Sequence, residues 1–277
     1  MSDRDDPDGR DVYTHGHHEA VLRSHRWRTA DNSAAYLLAH LQPGLDLLDV
    51  GCGPGTLTVD LAERVAPGRV VGVDVAPEAV EVARAHVAEQ GAGAPHVRFA
   101  PGDFRDMGLA PGAFDVVHAH QVLQHLRAPV EALTAMAALA RPGGGIVAAR
   151  DADYEAMTWA PADDRLDRWA ALYQAVTSSN GADANAGRRL KGWARSAGLR
   201  DVTYTTSTWT FSAPEDRAWW SETWAERVVA SSFATQAQDY GLATAADLAD
   251  LAAGWRAWAA DEDAVFTVVH GEILARV

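Results

Sequence analysis

The residues best placed to do chemistry lie in Asp49-Val50-Gly51-Cys52-Gly53-Pro54-Gly55, with Asp74 further along the chain. Three glycines at alternate positions close an apolar run (Leu45, Leu47, Leu48, Val50) that reads as a buried parallel strand. Thr56 to Ala62 then reads as a helix. Glycines at such a junction let the backbone turn tightly and approach a ligand at the helix start. Arg69 to Asp74 reads as a second strand tipped by a carboxylate, which can accept two hydrogen bonds from a ribose diol. The pattern predicts binding of a nucleoside-containing cofactor.

Glycine spacing narrows the choice. The dinucleotide fingerprint is G-x-G-x-x-G, aimed at a pyrophosphate. Here it is G-x-G-x-G, preceded by Asp49. An acid suits a cofactor carrying an ammonium and a sulfonium, and suits a pyrophosphate poorly. This motif resembles motif I of the class I S-adenosylmethionine-dependent methyltransferases. The resemblance covers residues 29–277, most tightly 45–150. It implies an α/β fold: a doubly wound, Rossmann-like, mostly parallel seven-stranded sheet with an antiparallel last strand. It also implies that Gly51, Gly53 and Gly55 line the methionine part of S-adenosylmethionine. Asp74 would hold the ribose, and Val75 would pack on the adenine. Gly102-Asp103-Phe104 follows the third strand, where the family places an acid accepting from the adenine amino group. Pro101-Gly102-Asp103 is turn chemistry too, so a capping role for Asp103 stands beside that one. His120, through its backbone, and Gln121 would flank the methionine moiety.

Composition bounds the partners. A formal net charge of -14 over 277 residues disfavours a nucleic-acid substrate. The single cysteine, Cys52, permits neither an intramolecular disulfide nor a cysteine-based metal site. The start of the chain is acidic and polar and lacks the pattern of a signal peptide. No run of about 18 apolar residues occurs, so no transmembrane helix is predicted. A cytoplasmic protein is expected, monomer or homodimer.

Three regions follow. Residues 1–44 read as a solvated tail to Asp11, a short helix, and a second helix from Thr29 to Leu41 that stops at Pro43-Gly44. Residues 45–150 alternate strands and helices, as a parallel sheet requires. They include strands at Val97–Ala100, Ala113–Ala119 and Ile146–Ala149, and helices opened by Pro77 and Pro129. Residues 151–277 finish the sheet with Val202–Phe211 and Val265–Leu274. They carry two helical insertions, 151–184 and 214–260, the second with Thr244 and Asp247 spaced as a capping box.

The rest of the chemistry concerns an acceptor. His125 follows Gln121 by one helical turn, so it either faces the cleft or lies on a helix surface; His118 reads as a core residue. The segment Tyr13-Thr14-His15-Gly16-His17-His18, with Arg28, resembles the lid of small-molecule methyltransferases, including those acting on ubiquinone and menaquinone precursors. It lacks acids or cysteines at ligand spacing, and no metal is expected. By the resemblance Arg28 reaches the cofactor carboxylate and Tyr13 nears the transferred methyl. His17, His18, His120, His125 and Tyr13 are candidate bases. Of the 10 tryptophans, all but Trp27 follow residue 150, which suggests a flat apolar or aromatic acceptor, or a cation held by ring faces. In-line methyl transfer to a small molecule is the expected reaction, with oxygen, nitrogen and carbon acceptors all open. The alternatives are a non-methylating cyclisation or decarboxylation that uses the cofactor's charge, and an NAD-dependent oxidoreductase.

Overall fold

The computed structural model describes residues 11, 14, 25, 27–89 and 96–277. Tyr13, His17 and His18, and the short helix expected after them, lie outside the described residues. The apolar run becomes β1 (Leu47–Val50), every residue of it buried. The glycine turn leads into α3 (Thr56–Val65), and β2 (Val70–Asp74) pairs parallel with β1. Helix α4 (Pro77–Glu89), β3 (Val97–Pro101), β4 (Val116–His120), α5 (Pro129–Leu139) and β5 (Ile146–Ala160) follow. Then come α6 (Asp164–Ser179), α7 (Ala186–Ser196), β6 (Asp201–Phe211), α8 (Pro214–Ala230), α9 (Ser232–Asp239), α10 (Ala245–Ala260) and β7 (Val265–Arg276). The seven strands form one sheet in the order β3-β2-β1-β4-β5-β7-β6. β1 to β5 pair parallel, and β7 runs antiparallel to both of its neighbours, as expected. Among the described residues, no helix is long and apolar enough to cross a membrane.

Two elements depart from expectation. The helix expected from Thr29 to Leu41 is two short ones, α1 (Ala30–Ser33) and α2 (Ala35–Leu38), broken at Ala34 with φ -138°. The Trp209 indole donates to the Asn32 carbonyl at 2.6 Å, taking an acceptor that a continuous helix would use four residues on. The fifth strand, expected to stop at Ala149, runs to Ala160. It stays paired with β7 across a register shift between Asp153 and Thr158. The sequence carries that shift: apolar residues fall at 152 and 154, then at 157 and 159, so the period-2 pattern changes face.

That overhang of β5, β6 and β7 makes a second lobe. Helices α6, α8, α9 and α10 pack on it around Trp169, Trp224, Trp255 and Trp258, each no more than 2% exposed. Trp169 sits edge-on to Trp224 and Trp255 at centroid distances of 4.5 and 4.8 Å. Trp169, Trp255 and Trp258 are core and not pocket wall, whereas Trp224 also lines a slot described below. The Thr244–Asp247 capping box opens α10 as expected. Trp169→Ala removes the centre of this ring cluster and is expected to destabilise the fold by about 3–5 kcal/mol; urea unfolding followed by circular dichroism checks it.

Candidate active site

The glycine turn sits at the carboxyl end of β1, where open parallel sheets bind ligands. Gly51 and Gly55 have φ of +69° and +80°, a region that glycine enters without strain. Packing demands glycine as well. A Cβ on Gly51 would lie 2.4 Å from the Val122 side chain, and one on Gly55 would lie 2.8 Å from Ala83 and Phe99. Asp74 braces the turn: its carboxylate accepts from the Gly53 amide at 2.9 Å and the Ala76 amide at 3.0 Å.

Asp49 is buried and held within the protein. It accepts from the Thr58 hydroxyl at 2.5 Å and from His118 Nδ1 at 2.7 Å. It borders a small space behind the turn together with His25, Arg28 and His120.

In front of the turn lies a cleft of about 860 Å³, the size of a small-molecule site. Gly51, Gly53, Asp74, Gly102, Asp103, Phe104, His120 and Gln121 line it, and so does Val75, which is 69% exposed. Asp103 is held bidentately by Arg105, Nε donating to Oδ1 at 2.9 Å and Nη2 to Oδ2 at 2.6 Å. Burial works to raise its pKa, but the hydrogen bonds and charge of Arg105 outweigh this and lower it. Arg105 also reaches Asp11 at 3.1 Å, and Asp11 accepts from the Arg127 amide at 2.8 Å. Asp11, expected at the end of a solvated tail, is thus tied across the cleft mouth.

At the floor, β4 delivers His120 and Gln121. His120 is 4% exposed, and neither ring nitrogen has a hydrogen-bond partner among the described residues. Burial, then the charges of Arg28 and Arg150, push its pKa well down, so the ring is neutral. Gln121 takes φ +52°, unusual for a side-chain-bearing residue. Three contacts hold it: its amide donates to the Arg150 carbonyl at 2.7 Å, its Oε1 accepts from Arg28 at 2.6 Å, and its Nε2 donates to His270 at 2.8 Å.

His125 faces inward, in a short 3₁₀ turn (Leu123–His125) and not an α-helix. The Ala152 amide donates to Gln124 Oε1, which turns the Gln124 NH₂ toward His125 Nε2 at 3.1 Å. The neutral ring therefore carries its proton on Nδ1. Burial, then Arg28, lower its pKa to about 3.

Sequence reasoning missed Arg150, Glu272 and His270. Arg150 lies opposite Glu272 in the β5–β7 register, and both are buried. Its Nε donates to Glu272 at 3.2 Å and to Ser207 at 3.1 Å, and its guanidinium stacks 4.9 Å from the Trp209 ring centroid. Burial lowers its pKa to about 10. The available signal was polar His270 and Glu272 at alternate positions of an apolar strand, a period that puts both on one face.

A second, aromatic slot adjoins the cleft, lined by Trp27, Tyr154, Trp209, Trp219, Trp220 and Trp224. His25, Arg28, Gln121 and His125 line both spaces.

Within β5, next to Arg150, lies Asp151, fully buried, accepting from the Gln124 amide at 3.1 Å. Burial pushes its pKa up from 3.8 to about 7. The folded state therefore holds this proton more tightly than the unfolded chain. The stability it contributes is full below pH 3.8 and is lost as pH rises through about 7. Melting temperatures of the native protein minus those of Asp151→Asn are expected to fall across that window and then level off.

Comparison with known proteins fits this geometry. The methyltransferase domain family matches residues 41–198. An uncharacterized methyltransferase of Schizosaccharomyces pombe is 30% identical over 271 residues, 95% of each chain. Among solved structures, phosphoethanolamine N-methyltransferase 2 of Haemonchus contortus gives a TM-score of 0.57 at 16% identity, over 94% of this chain and 58% of that one. The [4+2]-cyclase SpnF gives 0.52 at 22% identity, over 96% and 87%. The nicotinamide-dependent alternative falls with the family match. Matched by the domain over more than half its length, and aligned nearly end to end with a relative, the chain belongs to the class I S-adenosylmethionine-dependent methyltransferases.

Proposed function

We propose that the chain transfers a methyl group in line from S-adenosylmethionine to a small acceptor lodged in the aromatic slot. One observation carries this reading: the cleft and the slot share His25, Arg28, Gln121 and His125 as a common wall. A cofactor in the first space and an acceptor in the second would meet there. Bound S-adenosylmethionine supplies a sulfonium methyl; the acceptor's lone pair bonds to that carbon as the C–S bond breaks, and the bonding pair stays on sulfur.

The protein's part is placement and the exclusion of water. Asp74 is assigned the ribose diol, Val75 the adenine face, and Asp103 the adenine amino group while still paired with Arg105. Arg28 is assigned the cofactor carboxylate and Asp49 the fixing of the glycine turn through Thr58. His125, with Nδ1 protonated, is assigned hydrogen-bond donation to the acceptor. The proton of a hydroxyl or amine acceptor passes to a base, for which Tyr13 and His17 are the candidates.

The likeness to SpnF is one of fold, and it keeps a non-methylating reaction as the second reading. Incubation with S-adenosylmethionine and a set of aromatic acceptors, followed by mass spectrometry, separates the two. Methyl transfer yields S-adenosylhomocysteine in step with a product heavier by one methylene. Conversion of the organic compound with the cofactor intact would support the second reading.

Asp74→Ala is expected to weaken S-adenosylhomocysteine binding by about 1.5–3 kcal/mol in calorimetry, the range of charge-assisted hydrogen bonds. Unchanged affinity would refute the ribose assignment. Removal of residues 1–28 takes away Arg28 and Trp27 and is expected to abolish turnover while the sheet still unfolds cooperatively; full activity would sink the role given to this segment.

A further inference from the structure

As it stands the aromatic slot is too small for an organic acceptor. It has room for about 30 Å³, roughly one water molecule. Something on its wall must therefore move. Most of that wall is anchored. Trp209 and Phe211 stand on β6, and Trp219, Trp220 and Trp224 stand on α8. Trp209 donates to the Asn32 carbonyl, and Phe211 stacks on Trp220 at a centroid distance of 4.3 Å. Tyr154 stacks on Tyr173 at 3.9 Å. Trp27 differs. It lies in a turn just before α1, outside any helix or strand. Its indole sits edge-on to Trp209 at 5.1 Å and tilted against Phe211 and Trp219 at 5.6 and 5.5 Å. Among the described residues these ring contacts hold it without a hydrogen bond. Its backbone carbonyl accepts from Asn32 Nδ2 at 3.0 Å, so the main chain is pinned while the side chain can turn.

We propose that Trp27 is a plug. Its indole takes the place of the acceptor's ring, and the acceptor is a flat aromatic compound of about bicyclic size that enters as Trp27 swings out. That the occupant is the methyl acceptor rests on the methyl-transfer reading. The space itself carries the chemical class. Three aromatic rings already receive an indole there on faces and edges, and a second flat ring of that size meets the same geometry. Leaving costs Trp27 no hydrogen bond, and the incoming ring replaces the contacts that are lost. Only chains with the plug out can bind, so the plug lowers apparent affinity in proportion to the open fraction.

Two neutral probes on one skeleton test this: flat 2-naphthol and its puckered, saturated counterpart decahydro-2-naphthol. Each is titrated by calorimetry into the native chain and into Trp27→Ala, with and without saturating S-adenosylhomocysteine. 2-Naphthol is expected to bind Trp27→Ala roughly tenfold more tightly than the native chain, and the saturated probe to bind both more weakly. A ring that stacked on Trp27 as a fixed wall would instead bind the variant more weakly. Equal, weaker or no binding of 2-naphthol by Trp27→Ala therefore overturns the plug. Equal binding of the two probes by that variant overturns the flat-ring class. If Trp27→Ala melts early, Trp27→Phe decides: a smaller plug is expected to bind 2-naphthol more tightly than the native chain, and the reverse order overturns the proposal. Failure of S-adenosylhomocysteine to bind would strike the methyl-transfer reading instead, and the titrations without cofactor would still read the plug.

Discussion

The buried pair of Arg150 and Glu272 ties the sheet to everything built on it. Taking two charges out of water is expensive, and their attraction repays it only where geometry is good and spare hydrogen-bonding capacity is used. Ser207 and Thr205 supply part of that capacity to Glu272, at 2.5 and 2.9 Å. The pair spans the junction where the parallel strands end and the β5–β7–β6 overhang begins. The Arg150 carbonyl fixes the Gln121 amide, and its guanidinium lies on Trp209. Trp209 in turn binds the Asn32 carbonyl and packs edge-on against Trp27. One cross-strand contact is thereby connected to the floor of the cleft, the break between the two N-terminal helices and the cap of the slot.

Carboxylates dominate the sequence, but those at the working end of the sheet are occupied by internal partners: Asp49 by Thr58 and His118, Glu272 by Arg150, Asp103 by Arg105. Arg28 faces both cavities. His120, His125 and His270 are kept neutral first by burial, with Arg28 acting on all three and Arg150 on His120 and His270. They can therefore serve as hydrogen-bond partners without adding to the positive field.

What was legible in the sequence was local. A strand, three glycines, a helix and a carboxylate at the next strand's tip lie within about one βαβ unit, where short-range geometry fixes meaning. The antiparallel end of the sheet followed from the family resemblance, while alternation marked Val202 to Phe211 only as a strand. Legibility failed where a contact joins residues far apart in sequence. Nothing near Arg150 announces Glu272, and nothing near Asn32 announces the Trp209 indole that ends its helix. His125 had two readings because sequence spacing assumed an α-helix, whereas the 3₁₀ turn and Gln124 decide its direction. The tryptophans were legible as a group but not individually: Trp169 and Trp255 are core, while Trp209 and Trp219 face a cavity.

His25 and Arg28 border both spaces, and Trp27 between them closes one. A strap that walls two chambers cannot be ordered for one occupant alone. Whatever conformational entropy the first ligand removes from this segment need not be removed again by the second, so the two affinities are thermodynamically linked. Linkage is reciprocal, so any change that one ligand makes in the other's affinity is returned by the same factor.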